Sequence, residues 1–213
     1  YEMLFRMMRR EILPERFLGV AESTGVIERI DMEMARRAID MARRNQKSGK
    51  PLTLFLNVST KTLECDLYSD WLLDRLSKNH VPKGTLAFVI KEEDVPRFPK
   101  EIKRFVDMVK ELGQSVVLKQ SSAASCSNSM KFMREVKADY LKVNRLFTHR
   151  LQKESKYPVQ LKSLVQYGGQ IGCDVIGGYV DDATTLSLLW QAGVPFVQGY
   201  FIQRPLGGMN YDF

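Results

Sequence analysis

Residues 115–118 read Ser-Val-Val-Leu, and the run ends in Lys119-Gln120 before small polar residues that continue to Ser129. A short apolar run bounded in this way is typical of a strand buried in a parallel sheet. Parallel α/β enzymes keep their chemistry at the carboxyl ends of such strands. This strand instead ends in a cation and an amide, without a carboxylate or histidine at its tip. Residues 121–129 indicate a flexible loop that leads into the next helix.

Similar strands recur along the chain, with helical patterns between them. The predicted strands are residues 2–7, 52–58, 86–90, 115–118, 140–143, 174–178 and 195–201. Apolar residues at helical spacing predict helices at 27–42, 102–112, 130–136, 159–167 and 183–190. Gly113, Gly172 and Gly193 each stand between a helix and a strand, where a helix C-cap is expected. Strands that alternate with helices predict βαβ units and a parallel sheet.

The number of predicted strands helps to choose between two parallel architectures. Seven strands without a Gly-rich dinucleotide fingerprint favour a closed (β/α) barrel of the TIM type over an open doubly wound sheet. A chain of 213 residues is short for an eight-stranded barrel, so we expect either that one strand is irregular or that the first strand lies partly outside the chain, before Tyr1. We see no linker or internal repeat, and residues 1–213 are predicted to form a single domain.

The charge of the chain bears on its partners. It carries 32 Lys and Arg against 25 Asp and Glu, a net charge of +7 at pH 7. A basic surface can bind nucleic acid, or the charge can be spread over solvated helix faces. The second interpretation is favoured, because the basic residues are scattered and the dense run at 6–10 contains no stacking aromatic. We do not expect DNA or RNA as a partner, whereas affinity for a smaller anion stays open.

Cysteine usage and hydropathy indicate the compartment. Cys65, Cys126 and Cys173 are odd in number and lack the spacing of metal ligands. This pattern favours reduced thiols in a cytoplasmic protein over disulfides or zinc. The longest apolar runs, such as 52–56, are far shorter than the roughly 20 residues of a transmembrane helix. The expected protein is cytoplasmic, without membrane insertion.

The carboxyl ends of the predicted strands form a polar and partly cationic rim. Its residues are Glu2, Arg6, Asn57, Lys91, Glu92, Lys119, Gln120, Lys142, Asn144, 177–181, Gln198 and Gly199. Hydrolysis of a phosphodiester by two metal ions needs several carboxylates that hold the ions about 3.5–4 Å apart. Acidic residues near the rim are few: Glu2, Glu92, Asp139 and Asp181. The residues by themselves therefore favour an anion-binding barrel over a metalloenzyme.

Motifs in a fixed order along the chain resemble those of a known family. They are YEMLFR at 1–6, Pro14 with Phe17, AESTGVI at 21–27, Asp31, NVS at 57–59, DYLKVN at 139–144, and QGY at 198–200 with Pro205. Together they resemble EAL domains, which bind and usually hydrolyse cyclic di-GMP. The resemblance covers nearly the whole chain and implies a TIM-like (β/α) barrel of the EAL type.

Departures from the family motifs fall at its metal-binding positions. The EITE motif has become 89–92, with Val89 in place of the first glutamate, and the paired aspartates of DDFGTG have become Lys119 and Gln120. In the AEGVE motif, now 177–181, Gly178 replaces another metal-binding glutamate. The loss of both ions removes the Lewis acid and the activated water. The resemblance thus implies no metal, no cofactor, no catalytic residues and no phosphodiesterase activity.

The tail at 189–200 and 209–213 is similar to FimX-type EAL domains. That group regulates type IV pilus assembly and twitching motility. It implies a cyclic di-GMP receptor that binds its ligand without metal, engages a PilZ-domain protein and acts in the cytoplasm at the cell pole. It also implies that the chain is the C-terminal part of a larger multidomain protein. The alternative is a protein-interaction module that no longer binds cyclic di-GMP.

The resemblance implies which residues contact the ligand. These are Leu4, Phe5, Arg6, Asp31, Tyr179, Asp181, Gln198, Gly199 and Pro205. Arg6 would bind a phosphate or, alternatively, pair with Glu2 or Asp31.

Several of these residues also have a structural interpretation. Phe5 and Tyr179 would stack on guanine or pack at the rim. Asp181 would accept from a guanine edge or cap a helix, and Asp31 would touch a base or start a helix. Lys119 would pair with Glu2, either facing a ligand phosphate or as a structural pair alone.

Overall fold

A computed structural model of the chain describes residues 1–4, 14–46, 52–121 and 126–206, with only the backbone of 14–16. The chain forms two compact units, Tyr1–Val117 and Leu118–Phe213. Within the described residues, no helix combines the length and apolar character that a bilayer span requires.

The first unit alternates helices with strands. Its elements are α1 (Pro14–Ser23), α2 (Ile27–Gln46), β1 (Leu54–Asn57), α3 (Thr60–Glu64), α4 (Asp66–Asn79), β2 (Leu86–Lys91), a 3-10 turn (Glu92–Asp94), α5 (Pro99–Glu111) and the start of β3 (Ser115–Lys119). Strands β1 and β2 are parallel, with Leu54 opposite Leu86 and Asn57 opposite Val89. The pairing places the carboxyl ends of both strands at the same edge.

Burial explains why this unit folds as the pattern predicts. All of β2 except Lys91 is buried, as its unbroken apolar run requires in a covered parallel strand. Helix α5 buries Ile102, Phe105, Val106 and Val109, which share one helical face. Phe105 meets Phe88 of β2 edge to face, with ring centroids 5.4 Å apart. Burial of such side chains stabilises the unit by about 1.5–3 kcal/mol each.

The second unit repeats the alternation. After the end of β3 come α6 (Cys126–Glu135), β4 (Tyr140–Lys142), α7 (Arg145–Arg150), α8 (Lys156–Ile171), β5 (Asp174–Gly177), α9 (Ala183–Gln191) and β6 (Phe196–Val197). The pairings β4–β5 and β5–β6 are parallel, with Tyr140 opposite Asp174 and Ile176 opposite Phe196.

The predicted alternation of strands and helices is confirmed in both units. Gly113, Gly172 and Gly193 have the positive φ angles of 72°, 73° and 81° that a helix C-cap favours. Of the predicted strand at 2–7, Glu2 forms a parallel bridge with Phe55, and residues 5–7 lie outside the described part.

The predicted loop at 121–129 is wrong in its second half, because α6 begins at Cys126. Ser129 and Met133 are fully buried on one face of this helix. The small side chains here allow close packing of the helix. Small polar residues are also common in flexible loops, so composition alone does not distinguish the two.

Candidate functional site

Two polar side chains lie together at the carboxyl end of β1. The Asn57 Nδ2 group donates to Glu2 Oε1 at 3.3 Å. The backbone brings them together, because Met3 N–H donates to Phe55 O and Phe55 N–H donates to Tyr1 O. Leu4, a predicted ligand contact, follows this bridge and is exposed.

Asp31 lies inside α2, so the interpretation that it starts a helix is wrong. The helix begins at Ile27, four residues earlier. Asp31 Oδ2 accepts from Ser59 N–H at 2.8 Å and from the Thr62 hydroxyl at 2.7 Å. Its burial raises the pKa of the carboxyl, and the two hydrogen bonds oppose that rise. Asp31 thus ties α2 to the start of α3, and a contact with a base stays a prediction.

Near the end of β2, Val89 has an alkyl side chain at the position where the motif comparison predicts that a metal-binding glutamate has been lost. Val89 is buried at 3% exposure. Lys91 ends the strand and is exposed, and Glu92 begins the 3-10 turn and is buried.

Gln120, just after β3, makes three hydrogen bonds within the second unit. It is 1% exposed, and its backbone N–H donates to Lys142 O at 2.9 Å. Its side-chain Nε2 donates to Ser129 Oγ at 3.2 Å, and its Oε1 accepts from Asn144 N–H at 3.2 Å. An amide supplies both the donor and the acceptor, so Gln120 joins the ends of β3 and β4 to α6. Lys119, beside it, is half-buried.

Asn144 opens helix α7 after β4. Its Oδ1 accepts from Phe147 N–H at 2.7 Å, which is the bond of an N-cap. Lys142, two residues earlier, is buried at 7% exposure. These retained polar residues are therefore integrated into the packing of the second unit.

The loop of residues 178–182, which we call the β5–α9 loop, alternates exposed and buried residues. Val180 is fully buried, while Tyr179 is 37% exposed and Asp181 is exposed. Tyr179 has a φ of 58°, a conformation that is uncommon for a residue with a side chain and often occurs at functional sites. The Arg145 guanidinium lies over the Tyr179 ring at 5.9 Å.

Asp181 does not cap α9, so that interpretation of it is wrong. Asp182 is the N-cap and accepts from Thr185 N–H at 2.7 Å. That bond holds the pKa of the Asp182 carboxyl below its usual range. Asp181 Oδ2 instead lies 3.5 Å from His149 Nε2, which leaves the predicted guanine contact compatible with its position.

Gln198 and Gly199 position the β5–α9 loop against the end of β6. Gln198 N–H donates to Gly177 O at 2.8 Å, and Val180 N–H donates to Gln198 O at 3.0 Å. A Cβ atom on Gly199 would lie 2.1 Å from Val180 O. Only glycine therefore permits this approach of two backbones. Pro205, farther along, is half-buried.

Some predicted site residues lie outside the described part of the chain, and others belong to different units. Phe5 and Arg6 lie outside the described residues, as do 122–124 of the altered motif. Lys119 and Glu2 belong to different units, and their pairing stays a prediction.

Sequence reasoning did not identify Arg145, His149 or Gln152. All three are exposed, and only their spacing of four and three residues could have indicated a shared face.

Comparison with known proteins assigns the chain to a family. The family model described as EAL domain matches residues 1–205. The chain belongs to the EAL domain family.

Solved EAL domains confirm the predicted fold. The FimX EAL domain from Pseudomonas aeruginosa bound to c-di-GMP is 27% identical, with a TM-score of 0.89 over 100% of this chain and 86% of that one. The Xanthomonas citri FimX EAL domain in complex with c-diGMP is 22% identical, with a TM-score of 0.91 over 100% of this chain and 84% of that one. The fold is therefore the TIM-like α/β barrel of EAL domains.

Curated relatives are much longer than this chain. The chain is 24% identical to the signaling protein YkoW of Bacillus subtilis over 93% of its own length and 25% of that protein's. It is 22% identical to the cyclic di-GMP phosphodiesterase PdeB of Shewanella oneidensis, over 96% and 24% of the two lengths. The chain thus spans about a quarter of either relative.

The residues that the motif resemblance aligns with metal ligands of EAL domains are not, by their chemistry, ligands of divalent ions. Such ions are held by oxygen ligands, chiefly carboxylates. At these aligned positions the chain has the alkyl group of Val89, the ammonium of Lys119, the amide of Gln120, which is hydrogen-bonded to Ser129 and Asn144, and no side chain at Gly178. In the described ranges, no cluster of three or more His, Cys, Asp or Glu side chains could hold a metal ion.

Proposed function

We propose that this EAL domain is a cyclic di-GMP receptor without phosphodiesterase activity, which passes its signal to a protein partner. The observation that carries the proposal is the environment of Gln120. Its amide donates to Ser129 and accepts from Asn144, so the residue that the motif resemblance aligns with a metal-binding aspartate is part of the packing of the second unit.

The other altered positions support the absence of hydrolysis. Lys119 adds a positive charge beside Gln120, where a divalent ion would be repelled. Val89 is buried and has no atom that could coordinate an ion. Without the ions, the attacking water would lack the activation that a metal provides.

The β5–α9 loop supports retained binding of the nucleotide. Tyr179 offers an exposed ring, and stacking on a base contributes about 1–3 kcal/mol in single-stranded nucleic-acid sites. Asp181 offers a carboxylate that suits the two N–H groups of a guanine edge. The similarity to a FimX EAL domain that was solved with c-di-GMP is in line with this assignment.

We propose a PilZ-domain protein as the partner, and a role in type IV pilus biogenesis and twitching motility at the cell pole. The support is the structural match to FimX EAL domains, together with the altered metal positions.

One observation favours a second candidate, an interaction module that no longer binds cyclic di-GMP. The groups that would meet guanine have intramolecular neighbours, since Arg145 lies over Tyr179 and His149 faces Asp181. A ligand would have to compete with these contacts or to bind beside them.

Titration calorimetry with cyclic di-GMP in EDTA, with a parallel assay for hydrolysis, separates these functions. Binding at micromolar or lower Kd without turnover supports the receptor. Tyr179→Leu and Asp181→Asn should each weaken binding. Asp74→Asn, which removes an exposed carboxylate of α4, should leave it unchanged. The absence of binding would favour the interaction module, and turnover would refute both proposals.

A further inference from the structure

Three side chains of the segment 145–152, which contains α7, contact side chains of the β5–α9 loop. Arg145 lies over the ring of Tyr179 at 5.9 Å, and His149 Nε2 lies 3.5 Å from Asp181 Oδ2. Gln152 Nε2 donates to both carboxylate oxygens of Asp182, at 2.9 and 3.1 Å. Three positions of the loop thus meet three positions of one segment.

The spacing of these residues shows why they share a side. Arg145, His149 and Gln152 are four and three residues apart, as neighbours on one helical face are. Helix α7 ends at Arg150, but Leu151 keeps right-handed helical backbone angles and donates to Thr148 O. We call Arg145, His149 and Gln152 the α7 face.

The backbone of the loop is held by residues that follow β6. Val180 N–H donates to Gln198 O, and Phe201 N–H donates to Val180 O, both at 3.0 Å. Val180 is fully buried between its exposed neighbours. The backbone of the loop is therefore fixed by the segment that follows β6, while the side chains of Tyr179 and Asp181 lie against the α7 face.

We propose that the α7 face positions the β5–α9 loop for the ligand. In this inference, which rests on the proposed receptor function, Tyr179 and Asp181 touch cyclic di-GMP. The α7 face acts through them and does not itself contact the nucleotide.

Each contact has a physical consequence for binding. Arg145 keeps the Tyr179 ring in one orientation. The backbone of Tyr179 is left-handed, which is unfavourable for a residue with a side chain, so the contact with Arg145 also helps to hold this conformation. Gln152 fixes Asp182, whose cap on α9 sets where the loop ends. A preorganised loop loses less conformational entropy when the ligand binds, so affinity is higher than for a mobile one.

A double-mutant cycle distinguishes positioning from direct contact. Arg145→Met should weaken cyclic di-GMP binding about two- to fivefold in the wild-type background, and Arg145→Lys should restore part of the loss. In a Tyr179→Leu background the Arg145→Met change should have no further effect. A loss of equal size in both backgrounds would show that Arg145 contacts the ligand, which would overturn the proposal.

The remaining contacts are tested by affinity with a matched control. Gln152→Ala and His149→Leu should each reduce affinity, by about two- to tenfold for the first. Lys153→Gln changes an exposed side chain directly after the segment 145–152 and should bind like the wild type. Wild-type affinity in both α7-face variants would contradict the inference.

Hydrogen exchange tests the positioning in the ligand-free protein. The amides of 178–182 should exchange faster in Arg145→Met and Gln152→Ala than in the wild type and Lys153→Gln. Unchanged exchange would overturn the proposal. If the wild type binds no cyclic di-GMP, the proposed function fails, and exchange alone then decides whether the α7 face holds the loop.

Discussion

The side-chain oxygen of Gln120 accepts a hydrogen bond from the backbone N–H of Asn144 at 3.2 Å. This bond joins the end of β3 to the start of α7. The same amide also donates to Ser129, which a carboxylate cannot do. The side chain that the motif resemblance aligns with a metal-binding aspartate is thus part of the buried core of the second unit.

Replacing Gln120 with glutamate should destabilise the protein. The change keeps the shape of the side chain but buries a carboxylate and removes the donor to Ser129. The free energy of unfolding in urea should fall by about 1–3 kcal/mol at neutral pH.

The control for this change is Gln191→Glu. Gln191 is exposed and also donates to a serine hydroxyl, that of Ser187, so the same chemical change should alter stability by less than about 0.5 kcal/mol. Equal changes in the free energy of unfolding for the two substitutions would show that the buried amide of Gln120 is not needed for stability.

Asp31 and Asp182 should give pH dependences of opposite sign. The pKa of Asp31 is raised from 3.8, mainly by burial, so the folded protein binds this proton more tightly than the unfolded chain does. Its effect on stability therefore becomes less favourable as the pH rises from 3.8 through the raised pKa. The pKa of Asp182 is lowered from 3.8, chiefly by the Thr185 N–H bond. Its contribution is present above 3.8 and is lost as the pH falls through the lowered pKa.

Urea unfolding of the wild type, Asp31→Asn and Asp182→Asn between about pH 3 and about pH 7 measures both slopes. The difference in unfolding free energy between the wild type and Asp31→Asn should decline as the pH rises. The difference between the wild type and Asp182→Asn should increase. Slopes of the same sign for both pairs would contradict the assigned environments.

Gly199→Ala should disturb the end of β6. The added methyl group would lie 2.1 Å from Val180 O, and a backbone atom cannot move away as a flexible side chain can. Overpacking of this kind costs about 1–3 kcal/mol. Gly169→Ala is the matched control, because Gly169 is exposed on α8 with open space around it. It should stabilise the helix by about 0.5–1 kcal/mol, measured as the shift in urea midpoint.

Lys119→Met tests whether the cation beside Gln120 holds the ligand. If the ammonium faces a phosphate, affinity for cyclic di-GMP in EDTA should fall by about tenfold or more, as expected for the loss of a charge-assisted bond. Lys153→Met is the control for the loss of one positive charge. Unchanged affinity with and without EDTA would leave Lys119 with a structural role alone.

The regular parts of the fold could be predicted because their signals are local. The run at 86–90 and the spacing of Ile102, Phe105, Val106 and Val109 each contain the information that sets their structure. The predicted ends of β1 to β5 are correct to within two residues, whereas the strand predicted at 195–201 is limited to Phe196–Val197. Helix α7 was not predicted, since it has only six residues and its start depends on the cap of Asn144.

The candidate site was less predictable because its contacts join distant positions. Asp31 is bonded to Ser59 and Thr62, and nothing near Asp31 in the sequence indicates these donors. One interpretation of the sequence put the cap of α9 at Asp181, one residue before the observed cap Asp182, because both are aspartates at the same helix start. The motif comparison predicts which positions have lost metal ligands, and that stays a prediction, whereas the hydrogen bonds of Gln120 became visible only in the structure.

Titration of cyclic di-GMP into the protein in EDTA tests the central claim most directly. We expect saturable binding at micromolar or lower Kd, with the nucleotide recovered unhydrolysed after incubation with or without Mg²⁺ or Mn²⁺. Hydrolysis that depends on the added metal, or the absence of binding under both conditions, would contradict the account of a metal-independent receptor.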